Sequence, residues 1–348
     1  MPSILKRSKR TASAAFLLCL IAGTIWIVWG RGTNRLYTAE GLIFGTAYHI
    51  KYEHSANLDS QIVAKLNEVD RTLSVFNPHS TLSRINRGEA PASAPMLQEV
   101  MAKALQISEA THGAFDPTVM PLVNAWGFGF KHSALPTDAE VDSLKALVGY
   151  EKLTLHDDGR LSKQDPRVMI DLGAIAKGYA VDCVARLLSA NHIRNYMVEI
   201  GGEVITHGRH PEGHPWQIGI SKPQADAGGE AGSCQTILSL ENAALATSGN
   251  YHNFYVRDGR KYAHTIDPRT GRPVTHSLLS ATVVANDCAT ADAYATAFMV
   301  MGLEEAKTLL KAHKELGAYL IYADDKGRLA TFATGKVFDR QSEAATSR

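Results

Sequence analysis

Two hydrophobic periodicities alternate irregularly along this chain of 348 residues, and this mixture limits its possible folds more than any other sequence feature. Residues 36–53 and 280–285 alternate apolar and polar side chains, or form short apolar runs, which predicts β-strands. Residues 58–73 and 289–301 instead place apolar side chains at helical spacing. Because strands and helices follow one another without a regular βαβ rhythm, we expect an α+β fold.

Turn and capping signals mark the ends of several further elements. Thr137 and Glu140 form the capping-box pattern that begins a helix, Gly113 is suited to end one, and Asp158-Gly159 is typical of a hairpin turn. Further helices are predicted at residues 96–110, 174–190 and 303–313. Further strands are predicted at residues 152–155, 160–163, 167–172, 196–200, 216–220, 236–240, 253–257, 262–266, 318–322 and 328–333.

The N-terminus differs from the rest of the chain. Four basic residues in residues 1–10 precede an apolar stretch at residues 11–30, which is long enough to cross a membrane as a helix. The basic cluster predicts that the rest of the chain lies outside the cytoplasm. We therefore expect a basic cytoplasmic region (1–10), a transmembrane anchor or signal (11–30) and an exported domain (31–348) at the inner membrane, on its periplasmic side. A cleaved signal peptide is the alternative.

Charge and cysteine content exclude several functional classes. The formal net charge is +1, without a long basic run, so nothing favours nucleic-acid binding. Beyond the N-terminal segment, Cys183, Cys234 and Cys288 show no CxxC spacing, which argues against a disulfide framework or a cysteine zinc motif. Cys183 and Cys288 lie in apolar helical patterns, so we expect them to be buried free thiols.

Residues 170–178 form the first cluster that suggests chemistry. A predicted strand passes through Gly173 into a helix, so backbone N–H groups and the helix dipole point towards a potential anion, with Lys177 one turn into the helix. A capped turn with an exposed lysine is the alternative interpretation.

Asp292 and Thr296 form the second cluster. They are four residues apart on a predicted helix, so their oxygens share one face, and alanines surround them. An unpaired carboxylate in such an apolar setting is costly, whereas Mg²⁺ accepts carboxylate and hydroxyl oxygens. A helix carboxylate with a back-bonded threonine is the alternative without a metal.

Three further clusters interrupt otherwise apolar segments. Residues 264–273 place His264 beside Asp267 in a turn rich in proline and glycine, where the histidine could carry a proton and Asp267 could simply bond the local backbone. Residues 199–203 read Glu-Ile-Gly-Gly-Glu, and residues 113–129 form an aromatic, glycine-rich segment suited to a flat ring. Together the clusters indicate Mg²⁺-assisted phosphoryl or nucleotidyl chemistry on an aromatic ligand.

A zinc site is a further hypothesis, because His207, His210 and His214 lie close together in sequence. Their spacing is not a standard zinc signature, and the neighbouring glycines and proline predict a flexible loop. Rossmann and Walker-type sites have no matching motif.

Taken in order, these clusters resemble the ApbE family of FAD:protein FMN transferases. The resemblance runs from residues 44–48 through 73–78 and 246–251 as well as the clusters above, and covers nearly all of residues 40–302. It implies a two-lobed, T-fold-like α+β structure with mixed β-sheets packed against helices. The first motif usually begins with methionine, and Phe44 stands there in this chain. A second departure is that this chain lacks the lipoprotein cysteine of several relatives.

The resemblance implies a role for each matching residue. His264 is the implied catalytic residue. The implied flavin contacts are Phe44, Phe76, Ala114, Phe115, Asp116, Asp171, Lys177 and Ile266. The implied Mg²⁺ contacts are Ala174, through its carbonyl, Asp292 and Thr296, with Ala295 alongside.

The implied activity is Mg²⁺-dependent transfer of FMN from FAD to a threonine hydroxyl of an acceptor protein, with release of AMP. The implied acceptor carries a Ser/Thr-Gly-Ala-Thr-like motif, as in subunits of membrane electron-transfer complexes. Hydrolysis of FAD to FMN and AMP is an alternative that the same site would support. A periplasmic protein that binds FAD without catalysis is another.

Overall fold

A computed structural model describes residues 34–89, 94–129, 135–221, 234–250, 254–257, 260–335 and 338. The strands are β1 (Arg35–Ile43), β2 (Thr46–His54), β3 (Leu153–Leu155), β4 (Leu161–Lys163), β5 (Tyr196–Ile200), β6 (Glu203–His207), β7 (Trp216–Ser221), β8 (Cys234–Leu240), β9 (Ala243–Gly249), β10 (Phe254–Arg257), β11 (Arg260–Ala263), β12 (Ile266–Asp267), β13 (Arg272–Pro273), β14 (Leu278–Ala285), β15 (Gly317–Ala323) and β16 (Leu329–Thr334). The helices are α1 (Asp59–Leu73), α2 (Thr81–Asn86), α3 (Pro95–Ala110), α4 (Met120–Ala125), α5 (Asp138–Lys145), α6 (Ala176–Ala190) and α7 (Cys288–Ala312), with a 3₁₀ turn at Tyr150–Lys152.

One large sheet organises the fold. Its strands lie in the order β1-β2-β5-β6-β9-β14-β15-β16, and every described pair is antiparallel. The α+β prediction is therefore confirmed. The expectation of mixed sheets is wrong for the described strands, because neighbouring strands run in opposite directions whether hairpins or longer segments connect them.

The two faces of the sheet pack against different partners. On β14, Ala281 and Val283 belong to the main core with α6 and α7, whereas Val284 faces a second cluster with Trp216 and Leu238 of the β7–β8 hairpin. This alternation follows from the two-residue side-chain period of a strand. The central sheet is thus covered by helices on one face and by a hairpin on the other.

Most predicted elements are present. The Thr137–Glu140 capping box forms with both of its hydrogen bonds. Gly302, at φ 75°, separates the two helical parts of α7, as the two predicted helices required. The helix over residues 174–190 begins two residues later, at Ala176. Cys183 and Cys288 are buried free thiols, as expected.

The strand predicted at residues 167–172 is absent. The Asn86 side chain accepts a hydrogen bond from Ile170 N and donates one to Ile170 O, both at 2.8 Å. The next amide, Asp171 N, donates to Pro117 O at 2.7 Å. The backbone of this apolar segment is therefore satisfied by a side chain and a loop, and no neighbouring strand is needed.

The predicted regions 1–10 and 11–30 lie outside the described residues. Within the part of the chain that the structure describes, none of the helices combines the length and apolar character needed to cross a membrane. The boundary at residue 31 and the two-lobed, T-fold-like arrangement stay predictions.

Candidate active site

The site is built where α6 and α7 pack closely against each other. A Cβ atom at Gly178 would lie 2.3 Å from the carbonyl oxygen of Cys288, so only glycine allows the two helices to approach this far. The buried amide of Gly178 donates to Asp292 Oδ2 at 3.0 Å. This hydrogen bond fixes the Asp292 carboxylate of α7 at the start of α6.

Three charged side chains share this buried place. Lys177 Nζ lies 2.6 Å from Glu203 Oε1, and Glu203 and Asp292 are almost completely buried. Burial raises the pKa of Asp292, and the nearby Lys177 opposes that rise. Burial and the neighbouring Asp292 raise the pKa of Glu203 to about 8. Two carboxylates therefore face one ammonium group, which leaves room for a proton or a further cation.

The second carboxylate oxygen of Glu203 reflects this excess of negative over positive groups. Glu203 Oε2 is buried and has no hydrogen-bond partner among the described residues. A buried acceptor without a partner is costly, and an ion or a proton would satisfy it. Glu203 is the residue whose role the sequence did not predict, although it ends the Glu-Ile-Gly-Gly-Glu cluster at residues 199–203.

Thr296 extends the polar face by one helical turn. Both Asp292 and Thr296 lie in α7, four residues apart, so they share one face as their spacing predicted. Thr296 Oγ1 lies 3.2 Å from Ser248 Oγ on β9. Ser248 was also missed, although it lies in the matching segment 246–251. Ala295 is fully buried in the core, and Ala174 lies half-buried in the turn that precedes α6.

A hard divalent cation fits this donor set. Carboxylate and hydroxyl oxygens are the ligands that Mg²⁺ prefers, and the negative imbalance favours a cation. The residues that would hold it are Asp292 and Thr296, with Glu203 close by. The backbone carbonyl of Ala174 stays a predicted contact.

The turn before α6 carries the predicted flavin contact Asp171. Its Oδ1 accepts a hydrogen bond from Gly173 N at 2.8 Å, and burial raises its pKa. Together with the bond from Asp171 N to Pro117 O, this turn joins α6 to the segment that contains residues 113–118.

Asp116 stabilises that segment. Its Oδ1 accepts from Thr118 N and Thr118 Oγ1, and its Oδ2 accepts from Tyr150 N. Burial raises the pKa of Asp116 and these hydrogen bonds oppose the rise. Ala114 and Phe115 are buried in the main core. The side chains of these three predicted flavin contacts therefore serve local structure.

The predicted aromatic contacts differ in exposure. Phe44 occupies the two-residue turn between β1 and β2 at φ 52° and is half-buried. Gly201 N donates to Ala47 O, so this turn lies at the same end of the sheet as the turn that leads to Glu203. Phe76 is 76% exposed, which makes its ring accessible to a ligand.

His264 lies beside the aromatic, glycine-rich segment. Its ring meets Phe128 edge-on, with centroids 6.4 Å apart, and Trp126 Nε1 donates to Gly271 O at 2.8 Å. Ile266 is buried with Trp126 in a third small apolar cluster. Asp267 Oδ1 accepts from Arg269 N and Nε, so this carboxylate organises the turn, as the structural alternative predicted.

Comparison with known proteins agrees with this geometry. The family model described as "ApbE family" matches residues 44–320. A Vibrio cholerae protein named "FAD:protein FMN transferase" is 40% identical over 297 residues, which cover 82% of this chain and 87% of the relative. A Haemophilus influenzae protein of the same name is 38% identical, covering 84% and 88%.

A solved structure shows the same fold. The flavin transferase ApbE from Vibrio cholerae superposes with a TM-score of 0.78 at 37% sequence identity, covering 88% of this chain and 99% of that chain. Similarity therefore extends over the strands and helices that carry Lys177, Glu203 and Asp292.

Proposed function

This chain belongs to the ApbE family, and on that premise we propose that it is a Mg²⁺-dependent FAD:protein FMN transferase. In this reaction, a threonine hydroxyl of an acceptor protein attacks the FMN phosphorus of FAD. A phosphoester bond forms, the bond from that phosphorus to the bridging oxygen of the pyrophosphate breaks, and AMP leaves. The threonine proton passes to a base of the site.

The observation that carries the proposal is the buried grouping of Lys177, Glu203 and Asp292. A bound divalent cation would offset negative charge on the pyrophosphate as the P–O bond breaks. Asp292, Thr296 and the carbonyl of Ala174 are the residues that would hold it. Lys177 and the amides at the start of α6 add positive potential for the same phosphates.

His264 is the residue that we propose to accept the threonine proton, with a nearby carboxylate as the alternative base. Its position beside Phe128 and the turn at Asp267 supports a role at the edge of a flavin site. The proposed flavin contacts are Phe44, Phe76, Ala114, Phe115, Asp116, Asp171, Lys177 and Ile266.

The acceptor and the location of the enzyme belong to the same proposal. We propose that residues 11–30 anchor the chain in the inner membrane and that the catalytic domain lies in the periplasm. An acceptor threonine in a Ser/Thr-Gly-Ala-Thr-like motif of a membrane electron-transfer subunit would then face the same compartment. Attachment to one membrane raises the effective concentration of enzyme and acceptor.

The experiment that tests this function incubates the chain from Arg31 onward with FAD, Mg²⁺ and a candidate acceptor. The acceptor's intact mass and the release of AMP are recorded together. We expect a mass gain of one FMN residue that EDTA abolishes and that His264→Ala strongly reduces. An acceptor with the motif threonine changed to valine is the matched control and should gain no mass.

Other outcomes would point to the alternative functions. AMP and free FMN with several tested acceptors unlabelled would favour FAD hydrolysis. FAD binding without AMP release in the presence of Mg²⁺ would overturn the enzymatic proposal and favour a binding protein.

A further inference from the structure

A second group of metal-ligating side chains lies in the turn between β6 and β7. Ligand atoms of His210, Glu212 and His214 all lie within 4.8 Å of one another. Glu203 begins β6 and His207 ends it, so this turn follows the end of the strand opposite to the candidate active site. The group therefore has no part in the proposed flavin chemistry.

Hydrogen bonds show which ring nitrogens carry protons. His214 Nδ1 lies 2.8 Å from Pro215 O, and since a carbonyl only accepts, Nδ1 carries the proton. His214 Nε2 lies 3.1 Å from Glu212 Oε2, and since a carboxylate also only accepts, this nitrogen carries a proton that a bound metal ion would replace. A metal-binding histidine commonly donates its other ring N–H to a backbone carbonyl in this way, and this hydrogen bond orients the ring.

His210 places a second ring nitrogen near the same carboxylate. Its Nδ1 accepts a hydrogen bond from Glu212 N at 3.3 Å, so this nitrogen is unprotonated, and it lies 3.7 Å from Glu212 Oε2. The rings of His210 and His214 stack with centroids 4.6 Å apart and planes 6° from parallel, so they would have to rotate for both nitrogens to bind one ion. Ligand atoms of a tetrahedral zinc site lie about 3.3–3.6 Å apart. The distances from Glu212 Oε2 to His214 Nε2 and His210 Nδ1 therefore approach those of a bound site.

Further hydrogen bonds hold the turn in shape without using these ligand atoms. Gly213 N donates to His210 O, and His210 N donates to His214 O. Arg209 Nη1 donates to Gly213 O while its guanidinium forms an ion pair with Glu241. His210 also packs edge-on against Trp216, with ring centroids 5.2 Å apart. These contacts define the conformation of the loop that its glycines and proline predicted.

His207 does not belong to the group, although the sequence placed it there. Its Nδ1 donates to Arg194 O at 2.7 Å, and its ring stacks on Tyr196. Glu212 takes the place that the zinc hypothesis gave to His207. The side chains that converge are therefore two imidazoles and one carboxylate, with solvent on the exposed side.

We propose that His210, Glu212 and His214 bind a divalent transition-metal ion, with Zn²⁺ as the preferred ion. Two imidazoles and a carboxylate leave a fourth position for water, and imidazole favours zinc over Mg²⁺. The site would link the two ends of the turn and brace the β7–β8 hairpin that covers the outer face of the sheet.

The test measures Zn²⁺ binding to the EDTA-dialysed full-length chain by titration calorimetry, with excess Mg²⁺ to fill oxygen sites. We expect one Zn²⁺ at this site in the wild type and at least a tenfold weaker affinity in the His210→Gln/His214→Gln variant. His207→Gln is the matched control and should bind as the wild type does. Bound Co²⁺ should give a visible absorption spectrum that the double variant loses.

Equal binding by the wild type and the double variant would overturn the proposal, as would a wild type without this binding. Circular dichroism of the double variant checks that it is folded. FMN transfer with Mg²⁺ should be unchanged in it, so that loss of the zinc site and failure of the proposed transferase reaction are separate results.

Discussion

Lys177 Nζ lies 2.6 Å from Glu203 Oε1 and also interacts electrostatically with Asp292, so one buried ammonium group serves two buried carboxylates. The three residues come from α6, β6 and α7, which are far apart in sequence. Their arrangement depends on Gly178, because this glycine lets α6 and α7 approach until its amide reaches Asp292. Charge and packing in the site are therefore linked.

Replacing Asp292 with asparagine tests the metal assignment. The variant keeps an oxygen for the Gly178 amide but removes the negative charge. We therefore expect the rate of AMP release at saturating FAD to fall at least about 100-fold. The measurement is the rate of AMP release as a function of Mg²⁺ concentration. Glu304→Gln, an exposed residue on the same helix, is the control and should retain the wild-type Mg²⁺ dependence. Full Mg²⁺ activation of Asp292→Asn would rule out this ligand.

Glu203 predicts how Mg²⁺ binding depends on pH. Its pKa is raised to about 8, so it is neutral below that pH and adds a negative charge above it. We therefore expect Mg²⁺ affinity to rise as the pH increases through about 8, by about tenfold between pH 6.5 and 9. Calorimetric titration at several pH values measures this.

Glu203→Gln should remove that pH dependence, because glutamine stays neutral. Glu199→Gln, in the same five-residue cluster, is the control: its side chain bonds His49 and Gly202 N at the surface. If Glu203→Gln keeps the wild-type pH profile, another group is responsible for the change in affinity.

The close contact of α6 and α7 predicts the effect of Gly178→Ala. The added methyl group would lie 2.3 Å from Cys288 O, so the helices must separate. We expect a loss of about 1–3 kcal/mol in unfolding free energy, as for other overpacked cores, and weaker Mg²⁺ binding because Asp292 moves from its amide partner. Urea unfolding gives the first quantity.

Gly317→Ala is the control for Gly178→Ala. A Cβ atom there would meet its neighbours at ordinary contact distances of 3.4–3.5 Å, so a much smaller loss is expected. Equal losses in the two variants would mean that helix separation is not the cause.

The sequence predicted much of this structure because many of its signals are local. The helix spacing of residues 58–73 and the capping box at Thr137 depend only on neighbouring residues, and both are confirmed. The apolar segment 167–172 was wrongly predicted as a strand, because its hydrogen bonds go to Asn86, a residue 84 positions away from Ile170.

The candidate site shows the same limit. The shared face of Asp292 and Thr296 follows from helical spacing and was predictable. The contact between Lys177 and Glu203 depends on how a strand packs beside a helix, which no local pattern contains. For the same reason, the sequence placed His207 in the zinc hypothesis instead of Glu212, since spacing alone does not reveal which side chains turn towards each other.

Asp182 predicts a pH dependence of stability that is separate from the active site. Its two carboxylate oxygens accept the amides of Cys288 and Ala289 at the start of α7, and burial raises its pKa to about 7, above the ordinary value of 3.8. Between these values the folded chain retains a proton that the unfolded chain has lost. The contribution of Asp182 to stability is therefore full below about pH 4 and declines as the pH rises to about 7, by at most about 4 kcal/mol.

Comparison of wild type and Asp182→Asn by urea unfolding from about pH 4 to pH 8 isolates this effect, because other titrating groups cancel in the difference. Asparagine does not titrate, so the stability of the wild type relative to the variant should fall across this range and become constant above about pH 7. Asp142→Asn, on the exposed face of α5, is the control and should follow the wild-type curve. A wild-type-to-Asp182→Asn difference that stays constant with pH would mean that the two backbone amides outweigh burial and keep Asp182 ionised throughout.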